Sequence, residues 1–338
     1  MRSMTRVGLL GYGIAGRVFH APLITSTEGM ELVAIVTANP ERQAQASAAH
    51  PAAKIVTADE LFELDLDLIV VATPNRTHVE YARRAIEKGV AVVVDKPFAP
   101  TSAEAKDLVA SAEAKGVPLT VFQNRRWDSD FLTVRKIIGQ LGDIRRFESR
   151  YERWVPEIWD NWREFGAPEE AGGLLYDLGA HLVDQALQLF GPVARVYAEL
   201  DRRRPGAQVD DDVFVALTHK SGVRSHLWAN AHAANAGPRF RVLGSKGAFV
   251  ISGLDEQEDA LDAGRRPTDP NWGHEDRTGQ LGVLGETTDI AVEPGAYQNF
   301  YAELQAGRIP VDPASSVDAL EVIEAAFTSA RENRVVEL

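Results

Sequence analysis

Short apolar runs alternate with longer amphipathic stretches over residues 1–124. The apolar runs are rich in Val, Ile and Leu, which is typical of strands buried on both faces of a parallel sheet. Strands are predicted at 7–10, 30–37, 54–56, 66–72, 90–94 and 119–122. Helices are predicted at 17–24, from the cap candidate Asp59, from Thr77 to Gly89 and from the cap Thr101 to Lys115. This alternation predicts an α/β domain with a doubly wound parallel sheet.

The pattern changes after Asn124. Helices are predicted at 131–138, from the two glycines at 172–173 to Gly191-Pro192 and, after the cap candidate Ser316, at 317–333, and an alternating strand is predicted at 144–154. Strand-like runs separated by turn residues lie at 194–200, 213–219, 225–230, 239–243 and 248–251. Because consecutive strands joined by short turns form an antiparallel sheet, residues 125–338 are predicted to form an α+β domain with a mostly antiparallel sheet. The final helix can pack back on the first domain. The polar stretch 253–285 is predicted to be a functional or interface loop.

Composition and charge exclude several classes of function. The net charge is −13 and no run of Lys and Arg is longer than Arg202–Arg204, whereas nucleic acids and anionic membranes require a clustered basic surface. The chain has no cysteine, which excludes disulfides, thiolate metal sites and cysteine nucleophiles. No metal-ligand spacing is found, and Asp210–Asp212 is predicted to be a solvated turn. A cytoplasmic location is expected, because no apolar run has the length of a membrane span and the chain enters a strand pattern directly.

A glycine-rich turn follows the first predicted strand. Residues 11–16 read Gly-Tyr-Gly-Ile-Ala-Gly between a strand and a helix, which is the context in which this spacing indicates a dinucleotide site. The first glycine permits a tight turn, the second allows the backbone to approach a pyrophosphate, and the third allows the helix to pack on the strand. Residues 1–124 are therefore predicted to be a dinucleotide-binding Rossmann domain.

The end of the second predicted strand bears on the choice of cofactor. Recognition of NAD by this fold uses a carboxylate here, but this strand ends in Thr37, followed by Asn39 and Arg42. A hydroxyl, an amide and a guanidinium suit the 2′-phosphate of NADP better. We therefore expect NADP(H) to be preferred. NAD(H) stays possible, because an arginine one turn along a helix can also point to solvent.

Further polar residues follow the other predicted strands. Ligands of parallel sheets bind at the carboxyl ends of the strands, where Thr73, Asn75, Lys96, Gln123 and Asn124 lie. The position of Lys96 at a strand end favours a functional lysine over a solvated one. Both isomers of the Lys96-Pro97 bond are open at this point.

The helix after Gly173 carries the candidate chemistry. Residues 172–184 read GGLLYDLGAHLVD, with Asp177 four residues before His181 and Asp184 three residues after it. At helical spacing the three lie on one face, and a carboxylate one turn from an imidazole can set its tautomer. A half-buried histidine with a structural role has the same local pattern, so other parts of the chain must decide between the two interpretations.

These motifs together resemble the glucose-fructose oxidoreductase, inositol dehydrogenase and MocA (Gfo/Idh/MocA) family. The resemblance covers nearly the whole chain and rests on GYGIAG at 11–16, ATPNRTH at 72–78, DKP at 95–97, where most members have EKP, and GGxxxDxGxHxxD at 172–184. The stretches GYGIAGRVFHAPLI, QNRRWDSDF and DLGAHLVDQALQLFG are most similar to the NADP-preferring scyllo-inositol dehydrogenase-like branch.

The resemblance implies a catalytic set of Lys96, Asp177 and His181. It also implies that Ala72, Asn75 and His78 line the adenosine and ribose side of the cofactor and that Trp162 and Arg163 cover the nicotinamide end, although such a pair can equally anchor an interface. The resemblance further implies that the second domain binds substrate and has an open-faced sheet, through which the chain assembles into a homodimer or homotetramer. The candidate cofactor contacts are Gly11, Tyr12, Gly13, Ile14, Ala15, Gly16, Thr37, Asn39, Arg42, Ala72, Thr73, Asn75, His78, Asp95, Lys96, Gln123, Asn124, Trp162 and Arg163.

The residues and the resemblance predict an NADP(H)-dependent oxidoreductase that interconverts a secondary alcohol and a ketone or aldehyde on a cyclitol, polyol or sugar. Oxidation of an alcohol requires a base for the hydroxyl proton. His181 suits this role, Asp177 can orient it, and Lys96 can hold the substrate oxygen or the cofactor ribose. Candidates to face a sugar, which suit a hydrophobic core equally well, are Trp127, Asp128, Trp154 and Tyr176.

Three alternatives are a non-catalytic sensor that binds the dinucleotide, a sugar dehydrogenase that uses NAD(H), and a biliverdin-type reductase on the same scaffold. The presence of Lys96, Asp177 and His181 favours an enzyme over a sensor.

Overall fold

A computed structural model describes residues 4–158 and 171–338. The chain divides into two compact units. The first consists of Met1–Asn124, Glu256–Gly273 and Ala296–Val317, and the second of Arg125–Asp255, His274–Gly295 and Asp318–Leu338. Each unit therefore combines stretches that are far apart in the sequence.

The first unit contains a six-stranded sheet in which all neighbouring strands are parallel. Its strands are β1 (Thr5–Leu10), β2 (Met30–Val36), β3 (Lys54–Val56), β4 (Leu68–Val71), β5 (Ala91–Asp95) and β6 (Leu119–Phe122). The order β3-β2-β1-β4-β5-β6 is that of a Rossmann fold, as predicted. Leu10 pairs with both Val36 and Val71, so the first, second and fourth strands end at one edge.

The first helices of this unit follow the predicted alternation. A π-helical turn at Ala15–His20 continues into α1 (Ala21–Thr25), and the others are α2 (Pro40–Ala49), α3 (Ala58–Glu63), α4 (His78–Lys88) and α5 (Ser102–Lys115). Thr101 caps α5, as predicted. The predicted cap Asp59 is wrong, because the cap of α3 is Thr57, which forms a capping box with Glu60.

The second unit contains a nine-stranded mixed sheet. Its strands are β7 (Ile144–Glu152), β8 (Val193–Asp201), β9 (Asp212–His219), β10 (Arg224–Asn230), β11 (Phe240–Gly244), β12 (Ala248–Ile251), β13 (Thr278–Val283), β14 (Glu286–Ala291) and β15 (Val336–Glu337). The order is β14-β13-β12-β11-β7-β10-β9-β8-β15. β7 and β10 are parallel, and the other neighbouring strands are antiparallel. Along β9 and β10 buried residues alternate with half-buried ones, so one face of the sheet lies on the core.

The remaining helices are α6 (Ser129–Ile137), α7 (Ala180–Phe190), which a π-helical turn at Leu175–Gly179 precedes, α8 (Gln257–Asp262), α9 (Gln298–Gln305) and α10 (Pro313–Glu332). The loop predicted at 253–285 is wrong in part, because it contains α8 and β13. The predicted cap Ser316 lies inside α10, whose start is held by Asp312 through the Ala314 amide at 3.0 Å. No helix in the described ranges is long and apolar enough to cross a membrane.

The predicted solvated turn Asp210–Asp212 is wrong, because Asp211 is fully buried. Its carboxylate accepts hydrogen bonds from the backbone amides of Arg203 and Arg204 at 2.7 and 3.0 Å, and from Nε of Arg204 at 2.9 Å. Arg204 is itself buried. The pair is therefore a buried ion pair whose hydrogen bonds offset part of the cost of removing two charges from water.

Asp210 fixes the start of the helix that carries Asp177 and His181. Its Oδ2 accepts from the Leu175 amide at 2.7 Å, and its carbonyl oxygen accepts from the Leu174 amide at 3.0 Å. Gly173 has a φ of 93°, and a Cβ there would lie 2.2 Å from Asp210 Oδ1, so this approach requires glycine. Burial raises the pKa of Asp210 to about 6, although the Leu175 hydrogen bond acts in the opposite direction.

Replacing Asp210 with Asn should change how stability depends on pH. The pKa of Asp210 is about 6 in the folded protein and about 3.9 in an unfolded chain, so folding favours the protonated carboxyl. Its contribution to the free energy of unfolding is complete below about pH 4 and is lost as the pH rises through about 6. Asparagine stays neutral and still accepts from Leu175. As the pH rises from about 4 to about 7.5, the free energy of unfolding of Asp210→Asn should therefore increase relative to that of wild type by up to about 3 kcal/mol.

Urea unfolding of both proteins at several pH values measures this difference. A difference in the free energy of unfolding that is the same at every pH would contradict the role given to Asp210.

Candidate active site

The glycine-rich turn of the first unit forms a cradle of backbone atoms, in which positions 11 and 16 have no room for a side chain. Gly11 has a φ of 101°, and a Cβ there would lie 2.3 Å from the Ala72 carbonyl oxygen. A Cβ on Gly16 would lie 2.1 Å from the Gly11 carbonyl oxygen. At Gly13 the nearest atom to the added Cβ is Nη1 of Arg42, at 3.8 Å. The backbone at Gly13 is thus open to a ligand, and the turn fits the pyrophosphate of a dinucleotide.

The residues after β2 direct a positive charge to this turn. Asn39 caps α2 by accepting from the Arg42 amide at 3.0 Å, and Gln43 donates to the Thr37 carbonyl oxygen at 2.9 Å. The side-chain oxygen of Asn39 is therefore used in the cap, and its amide group is the part that can donate to a phosphate. The guanidinium of Arg42 lies beside Gly13, so this positive charge reaches the glycine-rich turn.

His78 ties the turn after β4 to the turn after β5. Its imidazole is buried, with Nδ1 2.9 Å from the Pro97 carbonyl oxygen and Nε2 2.9 Å from the Thr73 carbonyl oxygen. Burial lowers the pKa of His78, against the influence of Asp95 and of both carbonyls. The Lys96-Pro97 bond is cis. Both carbonyl oxygens can only accept, so a neutral imidazole donates to one of them and packs against the other, which places His78 between the two turns. Its direct contact with a nucleotide stays a prediction.

Lys96 directly follows β5 at the same edge of the sheet. Oδ1 of Asp95 accepts from the Lys96 amide at 2.9 Å, and His20 Nε2 lies 3.8 Å from this oxygen. Burial alone would raise the pKa of Asp95, but the contact with His20 and the charge of Lys96 outweigh it, so the pKa is lowered. Asp95 is therefore a carboxylate at neutral pH that braces the backbone of Lys96.

The remaining nucleotide candidates of the first unit differ in exposure. Ile14 is 55% exposed on the glycine-rich turn, so its side chain can meet a ligand. Tyr12 is buried, with its ring edge-on to His50, so its side chain serves packing. Asn75, Gln123 and Asn124 are buried, and their contacts with a cofactor stay predictions.

In the second unit, Asp177 and His181 lie on one continuous helix. Asp177 is half-buried within the π-helical turn, and His181 is 4% exposed as the second residue of α7. A π-helical turn is hydrogen bonded from i to i+5 and is frequent at functional sites, so regular helical spacing begins only at Ala180. Asp184, predicted to lie on the same face, is three residues after His181 within α7, and Arg126 binds its carboxylate with two hydrogen bonds of 2.9 and 2.6 Å.

A buried polar network lies beside His181. The Tyr151 ring is edge-on to the His181 ring, with centroids 6.4 Å apart. Arg239 donates to the Tyr151 hydroxyl at 3.0 Å and to Gln185 Oε1 at 2.8 Å, and Tyr151 donates to Asp128 Oδ2 at 3.2 Å. Burial raises the pKa of Tyr151. The phenol therefore stays neutral and keeps its place in the network.

Sequence reasoning missed Tyr151, Gln185 and Arg239. The alternation over 144–154 puts Tyr151 on the buried face of its strand, and Gln185 follows His181 by one helical turn, so both had a local signal. Arg239 had none, because an isolated arginine is usually exposed.

Two residues predicted to face a sugar lie in the core of the second unit. Tyr176 is buried, with its ring 5.3 Å from that of Phe327. Asp128 is 1% exposed, and burial raises its pKa well above the usual value. Their contact with substrate stays a prediction.

The aromatic candidates are more exposed. Trp154 is 57% exposed and stacks on His232, with ring centroids 5.0 Å apart, and Trp127 is half-buried. Trp162 and Arg163 lie outside the described residues. Among the residues that are described, no group of three or more His, Asp and Glu could hold a metal ion.

Comparison with known proteins gives matches over both units. The NAD-binding Rossmann fold of the Gfo/Idh/MocA oxidoreductase family matches residues 5–123, and the C-terminal alpha/beta domain of this family matches residues 135–338. The uncharacterized oxidoreductase YdgJ of Escherichia coli is 40% identical over 344 residues, which is 98% of each chain. The scyllo-inositol 2-dehydrogenase (NADP+) IolW of Bacillus subtilis is 34% identical over 348 residues, 98% of this chain and 96% of the relative.

A solved structure gives the same result. YvaA of Bacillus subtilis, described as an oxidoreductase, has a TM-score of 0.94 at 34% identity, over 100% of this chain and 99% of that one. The predicted fold class and family are therefore confirmed. With a match over both units and a cradle that fits a dinucleotide, the chain belongs to the Gfo/Idh/MocA family of NAD(P)-dependent oxidoreductases.

Proposed function

We propose that the protein is an NADP(H)-dependent oxidoreductase that interconverts a secondary alcohol and a ketone, or a primary alcohol and an aldehyde, on a cyclitol, polyol or sugar. The observation that carries this proposal is the placement of His181, a buried imidazole on the helix whose start Asp210 fixes. The name of the Bacillus subtilis relative that acts on scyllo-inositol supports a cyclic polyol as the substrate class.

Each side chain has one task in the proposed reaction. During oxidation the His181 imidazole accepts the proton of the substrate hydroxyl, and during reduction it returns a proton to the carbonyl oxygen. Asp177, on the preceding turn, orients the imidazole and offsets the positive charge that it acquires. The Lys96 ammonium group stabilises negative charge on the substrate oxygen. The nicotinamide, when bound, supplies or accepts the hydride.

A panel of cyclitols, linear polyols and sugars, incubated with NADP⁺ or NAD⁺, tests the activity through the absorbance of the reduced cofactor. On the best substrate, His181→Ala should lower kcat by roughly two to four orders of magnitude, the scale of losing a general acid or base. Affinity for the dinucleotide should stay close to wild type, because the cradle belongs to the first unit. His274→Ala, at an exposed histidine of the second unit, is the matched control and should keep full activity. Undiminished turnover by His181→Ala would remove this residue from the mechanism.

The same panel separates the enzyme from a dinucleotide-binding sensor. A sensor would bind NADP(H) tightly in titration calorimetry and turn over no member of the panel in either direction.

The preference for NADP(H) is supported by the residues around Arg42. A carboxylate at the end of β2 would hold the ribose of NAD and repel a 2′-phosphate, but Thr37 occupies this place. Arg42 lies in the first turn of α2, which begins directly after Asn39, so its guanidinium can pair with a 2′-phosphate bound at the end of β2. A hydrogen bond to a charged group contributes about 1.5–3 kcal/mol, which corresponds to roughly a ten- to hundredfold difference in affinity.

The Thr37→Asp variant should shift this preference towards NAD(H), because the new carboxylate repels the 2′-phosphate. Thr37→Ser keeps the hydroxyl and is the control, for which NADP(H) preference should persist. Titration calorimetry with both oxidised cofactors measures the ratio of affinities. If the Asp variant bound NADP⁺ as tightly as wild type does, Thr37 would lie outside the 2′-phosphate pocket.

Assembly through the second sheet is part of the proposal. The half-buried face of β9 and β10 carries Phe214 paired with Trp228, and the Arg150 guanidinium lies 4.0 Å from the Trp228 ring centroid. A broad sheet face with aromatic residues is unusual on the surface of a monomer. We infer that a second copy of the chain covers it.

Light scattering at micromolar concentration should therefore give the mass of a dimer or tetramer. Trp228→Glu should lower this mass, because it removes the aromatic ring and places a carboxylate inside the contact, whereas Trp228→Phe should preserve it. A wild-type protein of monomeric mass would contradict assembly through this face.

A further inference from the structure

His20 is a fully buried histidine that the proposed reaction does not use. It ends the π-helical turn that follows the glycine-rich turn, and its ring packs on Phe122 with centroids 4.3 Å apart. Each ring nitrogen faces a polar group of the first unit. Nδ1 lies 2.6 Å from the hydroxyl of Tyr301, and Nε2 lies 3.8 Å from Oδ1 of Asp95.

The two partners determine which ring nitrogen of His20 carries the proton. Oδ1 of Asp95 already accepts from the Lys96 amide, and a carboxylate can only accept, so the proton of the imidazole belongs on Nε2. Burial raises the pKa of the Tyr301 hydroxyl well above its usual value, and the charge of Asp95 adds to this. Tyr301 therefore stays a phenol and donates to Nδ1. The chain of contacts runs from Tyr301 through His20 and Asp95 to the backbone of Lys96.

This chain holds a charge that burial alone would disfavour. Burial acts to raise the pKa of Asp95, and the neighbouring His20 is the largest of the influences that lower it. The contact of 3.8 Å is longer than a direct hydrogen bond, so His20 acts on the carboxylate as an oriented dipole rather than as a bonded partner. An ionised and oriented carboxylate is what the Lys96 amide needs as an acceptor.

We propose that His20 and Tyr301 are positioning residues for Lys96, and that they act on it through the carboxylate of Asp95. The proposal rests on the proposed function insofar as Lys96 takes part in the reaction. It adds that His20, from the π-helical turn, and Tyr301, from α9, form a brace, by which we mean two contacting side chains that support Lys96 through Asp95. Because a misplacement of about 1 Å can cost a hundredfold in rate, loss of the brace should lower turnover without removing any group that touches the substrate.

Two variants separate this role from simple core packing. The side-chain amide of asparagine reaches as far as Nδ1 of histidine, and that of glutamine reaches as far as Nε2. His20→Asn therefore keeps a group facing Tyr301 and loses the donor facing Asp95, whereas His20→Gln keeps the donor facing Asp95. Both variants lose the aromatic ring, so a residue that only fills space should give the same result for both.

The first measurement is hydrogen exchange of the Lys96 amide in the full-length protein. Without an oriented acceptor, this amide should exchange roughly 5- to 10-fold faster in His20→Asn than in His20→Gln, the factor that one hydrogen bond supplies. Tyr301→Phe, which removes one oxygen atom, should raise the exchange rate by a smaller factor. Equal exchange rates for the Asn and Gln variants would overturn the proposal.

The second measurement is steady-state kinetics on the best substrate of the panel. His20→Asn should lower kcat by about 10- to 100-fold relative to His20→Gln, with the dissociation constant of the cofactor changed less than about threefold. Thr120→Val is the control, because it removes another buried hydrogen bond of the same unit, from Thr120 to the Val311 carbonyl oxygen at 2.8 Å. It should leave both the Lys96 exchange rate and kcat unchanged.

The two measurements distinguish failure of the proposed function from failure of the positioning role. If wild type turns over no substrate, the proposed function fails while amide exchange still decides the positioning role. If wild type is active and the Asn and Gln variants have equal kcat values, the positioning role fails and the proposed function stands.

Discussion

The glycine-rich turn meets the residue after β4 so closely that the backbone leaves no room for a side chain at Gly11. Gly11 lies against the carbonyl of Ala72 and Gly16 against the carbonyl of Gly11, at distances that exclude any side chain. This contact fixes the exit of β1, the entry of the following helix and the turn after β4 relative to one another. Because the strands end in register, it also places Thr37 and Lys96 on one edge of the sheet, where ligands of this fold bind.

The second unit relies on buried charges instead. Asp211 is paired with Arg204, and Arg239 is enclosed by Ser149, Tyr151 and Gln185. Removing either member of the Asp211–Arg204 pair would leave the other as an uncompensated buried charge, which costs several kcal/mol, and removing a partner of Arg239 would leave one of its N–H groups without a hydrogen bond. The groups therefore resist rearrangement, and the helix of Asp177 and His181 is held between them, by Asp210 at its start and by Gln185 one turn beyond His181.

Features that depend on neighbouring residues were predictable from the sequence. The parallel sheet, the glycine-rich turn and the cap Thr101 all follow from patterns within about fifteen residues. The start of α3 was misplaced because Thr57 and Asp59 are both good caps, and only the reciprocal contact with Glu60 selects Thr57. The placement of Asp177 and His181 on one helix was predicted too. The π-helical turn was not, because no spacing of residues in the sequence predicts it.

Features that depend on distant partners were not predictable. Three consecutive acidic residues at 210–212 have the composition of a solvated turn, and their burial depends on Arg204 and on the helix start at Leu175. The stretch 253–285 has a polar composition throughout, yet it is divided between the two units. No pattern along the chain connects His20 with Tyr301, which stand 281 positions apart.

This separation has a consequence for how the protein is made. The six strands of the first sheet are complete once residue 122 has been synthesised, but two side chains that contact its first strand and first helical turn arrive much later. Gln305 accepts a hydrogen bond from Thr5, and Tyr301 contacts His20. During translation, residues 1–124 therefore emerge from the ribosome before the partners of His20 and Thr5 have been synthesised. The strands of the second unit are made in the interval. Chain segments that close such long loops fold late. The brace beneath Lys96 is thus among the last parts of the molecule to form, and a chain truncated near residue 296 would carry the complete nucleotide cradle with an unsupported lysine.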